Sequence, residues 1–286
     1  MKVFKSALLL HSELANQRKM GRSIGFVPTM GALHEGHLAL VERAREGNDT
    51  VVCSIFVNPR QFNDAQDLQA YPRPIEDDME KLMAAQVDIL FLPEYADVYG
   101  ADDVHETIDL NGLDHVLEGR QRPGHFQGVA QVVKRFFEQV QPNRAYFGQK
   151  DFQQTVVIRQ LLNLHFPDIQ LVVCPIIRES NGLAMSSRNE RLSTDGRNKA
   201  GFIFHTLLRL RERCHFKSLQ ESLEISRDYL QSKKGVTLEY LEAVDGLTMK
   251  TVQDLEDASN IVAVVVVQFE GVRLLDNIIL KNAAGN

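Results

Sequence analysis

Apolar and polar positions along this chain of 286 residues follow one rhythm up to about residue 177 and another beyond it. In the first part, short apolar runs alternate with segments of helical period. Residues 23–27 form a short apolar strand that the pattern ends at Pro28. The chain then turns through Gly31, and Leu38, Leu40, Val41 and Ala44 recur at the spacing of a helix starting near His34. Residues 50–57 are a strongly apolar run rich in β-branched residues, as expected for a strand covered on both faces of a parallel sheet. The same reading predicts helices over 12–20, 75–85, 129–140 and 152–165, and strands over 87–92, 145–147 and 170–177. Strands and helices in alternation indicate an open α/β sheet with right-handed crossovers. From about Thr194 two helical segments, 194–214 and 219–233, precede three β-rich stretches, 237–244, 260–269 and 272–276. That order predicts a smaller α+β domain. With the boundary region at 176–186, the chain is divided into domains 1–177 and 178–286. Residues 282–286 are expected to fray.

Composition narrows the class. Hydrophobic residues at 44% and charged residues at 24% are ordinary for a globular protein of this length. A net charge of −6 argues against a nucleic-acid partner, which would call for a basic face. Cys53, Cys174 and Cys214 form no Cys-x-x-Cys pair, and two of them sit in apolar runs as small core residues. There is no N-terminal signal pattern, and the apolar run 261–267 is too short to span a bilayer. A cytoplasmic location without membrane attachment is expected.

The densest chemistry lies in Phe26-Val-Pro-Thr-Met-Gly-Ala-Leu-His-Glu-Gly-His37. A strand, a glycine turn and a helix start make a ready anion site, because the first helical amides lack intrahelical partners and the dipole favours negative charge. His34 and His37, three apart, share one face of that first turn. Alone, such a pair is more often capping or surface chemistry. The spacing is wrong for a zinc protease, which needs histidines four apart with a glutamate after the first. No Walker-type loop and no Gly-x-Gly-x-x-Gly is present. Three further segments fall where strands hand over to loops, the place where open α/β sheets bind ligands. Asn58-Pro-Arg-Gln-Phe-Asn63 is a polar turn. Gly148-Gln149-Lys150-Asp151 puts an ammonium at a helix start. Met185-Ser186-Ser187-Arg188-Asn189, after a Ser-Asn-Gly turn, offers hydroxyls, amides and a guanidinium, a possible phosphate cradle or an ordinary cap. The glycine-rich segment holding Arg122 and His125 reads as either structural or site-lining.

Together these segments are recognisable. The His-x-Gly-His element resembles the signature of a nucleotidyltransferase superfamily that includes class I aminoacyl-tRNA synthetases. Pro28 to His37, Ser54-Ile-Phe-Val-Asn-Pro59 with Gln61-Phe62, Tyr71-Pro-Arg73, Arg122-Pro-Gly-His-Phe126, Lys150-Asp-Phe-Gln-Gln154, Met185 to Asn189 and Leu275-Asp-Asn277 are similar, in order and spacing, to the pantoate–β-alanine ligases. The resemblance implies a Rossmann-like parallel sheet followed by a smaller α+β C-terminal domain that covers the site. It also implies an enzyme that joins D-pantoate to β-alanine with ATP and Mg²⁺, through a pantoyl-adenylate, in a homodimer. By the same resemblance ATP is contacted by Met30, Gly31, Ala32, Leu33, His34, Glu35, Gly36 and His37, by Gly148, Gln149, Lys150 and Asp151, and by Ile177, Met185, Ser186, Ser187 and Arg188. Of these, His37, His34, Lys150 and Arg188 serve the chemistry. Gln61 and Gln154 match pantoate-binding glutamines, since an amide both donates and accepts. Asp77, next to Asp78, matches a metal-proximal acid, although two solvated acids on a helix would look the same. Gln149 stands where glutamate is common, and Ala130-Gln131 where a small residue and threonine are usual. Two alternatives remain. Another nucleotide-transferring member of the superfamily would leave a stable dinucleotide product, and a nucleotide-binding module would be catalytically silent.

Overall fold

The structure, a computed structural model, describes residues 1–100 and 106–282, so the expected fraying of 283–286 lies outside the described residues. It contains two compact units, Met1–Gln149 with Val157–Pro175, and Lys150–Val156 with Ile176–Asn286.

The first unit is built on six parallel strands: β1 (Lys2–Phe4), β2 (Ile24–Thr29), β3 (Thr50–Ile55), β4 (Ile89–Phe91), β5 (Arg144–Gly148) and β6 (Gln170–Cys174). Their order is β1-β4-β3-β2-β5-β6. The chain runs outward from β2 through β3 to β4, then resumes on the other side at β5. The order therefore reverses between β2 and β5, and the crevice at the carboxyl ends of these two strands is the fold's natural ligand position. β2 and β3 are buried almost throughout because helices cover both faces. Val27, Cys53 and Ile55 pack with Leu40, Val41, Ala44 and Leu82 of the helices Glu35–Gly47 and Ile75–Ala84. Phe26 and Phe91 meet Phe136 of the helix His125–Val140 edge-on, at 5.8 and 5.9 Å between ring centres. Burial of each such ring contributes roughly 1.5–3 kcal/mol.

The second unit carries an antiparallel sheet, β7 (Val236–Asp245), β8 (Ile261–Phe269) and β9 (Val272–Lys281), in the order β7-β8-β9. Glu270 and Gly271, both with positive φ (49° and 72°), close the β8–β9 hairpin in two residues. Leu207, Leu210, Leu223 and Leu230 of the helices Phe202–Arg213 and Leu219–Gln231 cover it from the same core as Leu241, Ala263 and Val265. A Rossmann-like parallel sheet and a smaller α+β part are thus both present. Among the described residues no helix is long and apolar enough to cross a membrane.

Several boundaries differ from the pattern's expectation. β2 runs through Pro28 to Thr29, because the ladder to β5 ends at Phe26 and the missing proline donor lies beyond it. β6 stops at Cys174 ahead of Pro175, so Ile177 lies outside the strand. The helix expected over 194–214 is two, Thr194–Lys199 and Phe202–Arg213. The Asn181 side-chain amide takes the Arg197 and Asn198 carbonyls at 2.7 and 3.0 Å and ends the first. The edge strand β1 and the helices Ala65–Ala70, Tyr95–Tyr99 and Leu117–Gln121 are too short to register as periodic.

Candidate active site

In the first unit, β2 delivers the chain into a turn whose amides at Gly31, Ala32 and Leu33 are all bonded. Gly31 and Ala32 both hold positive φ, 82° and 51°. Gly31 admits no side chain, since a Cβ there would lie 2.9 Å from Asp78 Oδ2 and 3.1 Å from Ile55 Cγ2. Gly31 N–H donates to Thr29 Oγ1 (3.2 Å), Ala32 N–H to Asp78 Oδ2 (2.8 Å) and Leu33 N–H to Asp78 Oδ1 (2.7 Å). Lys81 Nζ donates to the Leu33 carbonyl at 2.8 Å. One turn of the helix Ile75–Ala84 thus clamps the loop with a buried carboxylate and an ammonium. Asp77, its neighbour, is exposed on the same helix.

The helix Glu35–Gly47 then begins with an unusual cap. His34 is the N-cap, and its Nδ1 accepts the Gly36 amide at 3.1 Å; His37 Nδ1 accepts the His34 amide at 3.3 Å. The two rings lie 4.1 Å apart. An acceptor Nδ1 carries no proton, so each neutral ring is the Nε2–H tautomer. Histidine side chains thus hold the His34 and Gly36 amides, two of the groups expected to face an anion, and add imidazole edges to the helix start. Glu35, between them, opens the helix.

Gln61 sits at the end of a single 3₁₀ turn, Pro59–Gln61, just past β3. It is buried, with its amide nitrogen on Met30 Sδ at 2.8 Å and Asn58 Nδ2 donating to its Oε1 at 3.3 Å. Gln61 and Met30 therefore meet at the carboxyl ends of adjacent strands. Asn58 also donates to the Gly128 carbonyl (3.0 Å) and accepts from the Tyr99 hydroxyl (2.9 Å). His125 Nδ1–H donates to the Gln61 carbonyl at 2.7 Å, and Arg122 Nη1 to His125 Nε2 at 3.2 Å. A carbonyl only accepts and a guanidinium only donates, so both contacts select the Nδ1–H tautomer of His125. Arg122 and His125 thus brace Gln61. Gly128 permits the close approach: a Cβ there would lie 2.3 Å from the Arg60 carbonyl oxygen. Gln131, the departure noted above, accepts from Arg60 Nη1 (3.2 Å) and donates to the Glu106 carbonyl (2.7 Å). Gly148 and Gln149 close the first unit at the end of β5, where a Cβ on Gly148 would meet nothing within 4 Å.

In the second unit, Lys150 Nζ pairs with Asp151 Oδ1 at 3.1 Å, and the Lys150 carbonyl accepts from Asn277 Nδ2 at 3.1 Å. Gln154 is half-buried in the helix Phe152–His165; its neighbour Gln153 is buried. Ile177 accepts the Met185 amide at 2.9 Å. Ser186 caps the 3₁₀ turn Ser187–Arg191 by accepting the Arg188 amide at 3.2 Å. Beneath this turn, buried Asn189 donates to Glu179 Oε1 (2.9 Å) and the Ala184 carbonyl (3.0 Å). Met185, Ser186, Ser187 and Arg188 are themselves all half-buried.

Sequence reasoning did not single out Asp78 and Lys81 as the loop clamp, nor Asn58, Tyr99, Arg178 and Asp276. Asn58 and Asp276 stand in motifs quoted above, which was their only signal. Among the described residues no group of three or more His, Cys, Asp or Glu is arranged to hold a metal ion.

Comparison with known proteins gives this arrangement a family. The profile of pantoate-beta-alanine ligase matches residues 2–279. The chain is 43% identical over 274 residues to the pantothenate synthetase of Cytophaga hutchinsonii, covering 95% of this chain and 96% of that one. It is 42% identical over 283 residues to that of Christiangramia forsetii, covering 99% and 100%. Its fold is similar to the crystal structure of pantothenate synthetase from Thermus thermophilus, with a TM-score of 0.90, 40% identity and coverage of 98% and 100%. It is also similar to pantoate-beta-alanine ligase from Francisella tularensis complexed with beta-gamma ATP and beta-alanine, with a TM-score of 0.80, 33% identity and 98% of each chain covered. The chain belongs to the pantoate–β-alanine ligase family.

Proposed function

We propose that this chain is an ATP-dependent ligase that condenses D-pantoate with β-alanine to give pantothenate, AMP and pyrophosphate. The observation that carries the reading is the pair of neighbouring devices at the ends of β2 and β3. Imidazole Nε2–H donors suited to phosphate oxygens stand on one, and a braced, buried glutamine suited to a carboxylate and hydroxyls on the other. In the first half-reaction a pantoate carboxylate oxygen bonds to the α-phosphorus and the bond to pyrophosphate breaks, leaving pantoyl-adenylate. In the second, the β-alanine amine bonds to the acyl carbon, AMP leaves, and the amine's proton goes to solvent. A carboxylate nucleophile needs no general base, so the protein's part is positioning and charge neutralisation.

His34 and His37 are assigned to the phosphates, with His37 donating a hydrogen bond to the charge that develops on transfer. Lys150, Ser186, Ser187 and Arg188 are assigned to the same polyphosphate, Gln61 and Gln154 to pantoate, and Met30, Gly148 and Ile177 to the nucleotide. Asp77, exposed and carboxylate-bearing, fits a Mg²⁺ ion held mainly by phosphates and water, which needs only one or two protein carboxylates. Bound there, the ion would neutralise phosphate charge. The reading places the enzyme in the cytoplasm as a homodimer without a nucleic-acid partner, in keeping with its net charge of −6.

The test is to incubate the protein with ATP, Mg²⁺ and pantoate, measure pyrophosphate, and then add β-alanine. Pyrophosphate on pantoate addition, with AMP and pantothenate following β-alanine, is expected. A stable dinucleotide, or no pyrophosphate from a folded protein that binds ATP, would overturn the reading.

A further inference from the structure

The motif Leu275-Asp-Asn277 lies in β9, and both its polar residues are buried, Asp276 to 4% exposure and Asn277 to 2%. A buried carboxylate in a strand is costly unless it is paired and hydrogen-bonded. Here Arg178 grips it with a fork, Nη1 to Oδ2 at 2.7 Å and Nη2 to Oδ1 at 2.9 Å. The Asn277 amide adds a third bond to Oδ1 at 2.7 Å. Burial pushes the Asp276 carboxyl up from its ordinary range, and the bonds and charge of Arg178 pull it back.

What leaves this pair matters more than what holds it. On one side, Arg178 Nη1 also donates to the Gly182 carbonyl at 3.0 Å, while the guanidinium stacks on the Phe204 ring at 3.6 Å. Gly182, with φ 92°, is the bend of a small hairpin closed by the Arg178–Ala184 bridge. The next residues are Met185 to Arg188, tied back through the Met185 amide to the Ile177 carbonyl. On the other side, Asn277 donates its side-chain amide to the Lys150 carbonyl at 3.1 Å. Two segments far apart in sequence, each contributing cationic or hydroxyl groups, are thus fastened to one buried carboxylate and its neighbour.

We propose that Asp276, Arg178 and Asn277 form a positioning unit that sets Lys150 and the Ser186–Arg188 turn in register for a bound triphosphate. This rests on the assignment of those two segments to ATP phosphates. An apolar pair of similar volume would hold β9 as firmly, since buried ion pairs are often no more stabilising than the hydrophobic residues that replace them. It would not reach the Gly182 carbonyl or orient the bond to Lys150. Charge is retained here for direction, and the three residues act through Lys150 and Arg188 without touching the reacting atoms.

Three variants test it by steady-state kinetics, with folding followed by thermal melting. The wild-type protein is assayed first: absence of pantoate-dependent pyrophosphate release there overturns the underlying reading, whatever the variants do. With an active wild type, Asn277→Ala is expected to raise the KM for ATP or lower kcat by about tenfold in total while the KM for β-alanine stays within twofold. The double variant Asp276→Leu/Arg178→Met is expected to melt near the wild-type temperature yet keep the same ATP defect. In a Lys150→Ala background, Asn277→Ala is expected to add less than twofold, because its effect passes through that lysine. If Asn277→Ala keeps ATP kinetics within twofold of wild type, or adds its full effect in the Lys150→Ala background, the proposal is overturned. Asn277→Ala leaves the Asp276–Arg178 pair in place, so it remains informative if the double variant does not fold.

Discussion

His37 holds a backbone amide with one ring nitrogen and presents a donor with the other, and these duties separate on mutation. His37→Ala removes the Nδ1 acceptor of the His34 amide, a capping loss of roughly 1 kcal/mol that leaves the fold intact. Loss of a donor aimed at developing charge typically costs roughly 10²–10³ in rate. Pyrophosphate release should therefore fall by that order while the urea midpoint shifts only slightly; undiminished release from the folded variant would remove His37 from the chemistry. Cys53 makes a different prediction. Burial pushes its thiol from 9.0 to about 12, with a bond from the Thr29 side chain acting in the opposite direction. Below pH 9 the thiol is protonated in the folded and unfolded chain alike, so its contribution to stability is fully present. Between 9 and 12 only the unfolded chain gives up the proton, and stability falls by about 1.4 kcal/mol per pH unit. Cys53→Ala should flatten the alkaline limb of stability against pH relative to wild type. Urea unfolding at pH 8, 9.5 and 10.5 reads the two slopes, and parallel curves would exclude the thiol as their cause.

At the scale of elements, the helix Ile75–Ala84 separates two neighbouring acids by function. Asp78→Asn replaces one of two oxygens that accept the Ala32 and Leu33 amides with an amide that cannot accept. A cost of roughly 1–3 kcal/mol follows, the same with or without Mg²⁺. Asp77→Asn, on the exposed face, should leave stability within about 0.5 kcal/mol and raise the Mg²⁺ concentration needed for half-maximal pyrophosphate release. An unchanged Mg²⁺ titration would place the ion elsewhere. The helix itself was legible, predicted over 75–85 and observed at Ile75–Ala84, because apolar spacing is a local property. Which acid turns inward was not, because that depends on a loop 46 residues earlier in the chain. The same limit applies to Gln61. Its segment stood out by resemblance, whereas the bonds that hold Asn58 come from Tyr99, on a helix too short to show a period, and from Gly128, ahead of the helix expected over 129–140. β6 was overextended because apolar Ile176 and Ile177 continue the run that Pro175 breaks.

For the whole molecule, the shift in pattern near residue 194 announced a second domain, and division at 177/178 remains the simplest proposal. The segment Lys150–Val156 complicates it. The helix pattern over 152–165 is unbroken, so nothing local marks its first turn as belonging with residues 176 onward, yet the contacts group it there. Asn277 reaches the Lys150 carbonyl, and a Cβ on Gly246 would touch Phe152 at 3.5 Å. A fragment spanning 178–286 alone would leave the buried Asn277 amide without that acceptor, a loss of roughly 1–3 kcal/mol. Fusing residues 150–156 through a flexible Gly/Ser linker ahead of residue 178 restores it, and extra chain in such a linker costs little closure entropy. The fused fragment should therefore unfold at a higher urea concentration than the bare one, by at least about 1 kcal/mol in fitted stability. It should lose that advantage when it carries Asn277→Ala. Equal midpoints for the fused and bare fragments would show that the first turn of the helix lends nothing to the C-terminal unit, and that a single cut at 177/178 separates two self-sufficient parts.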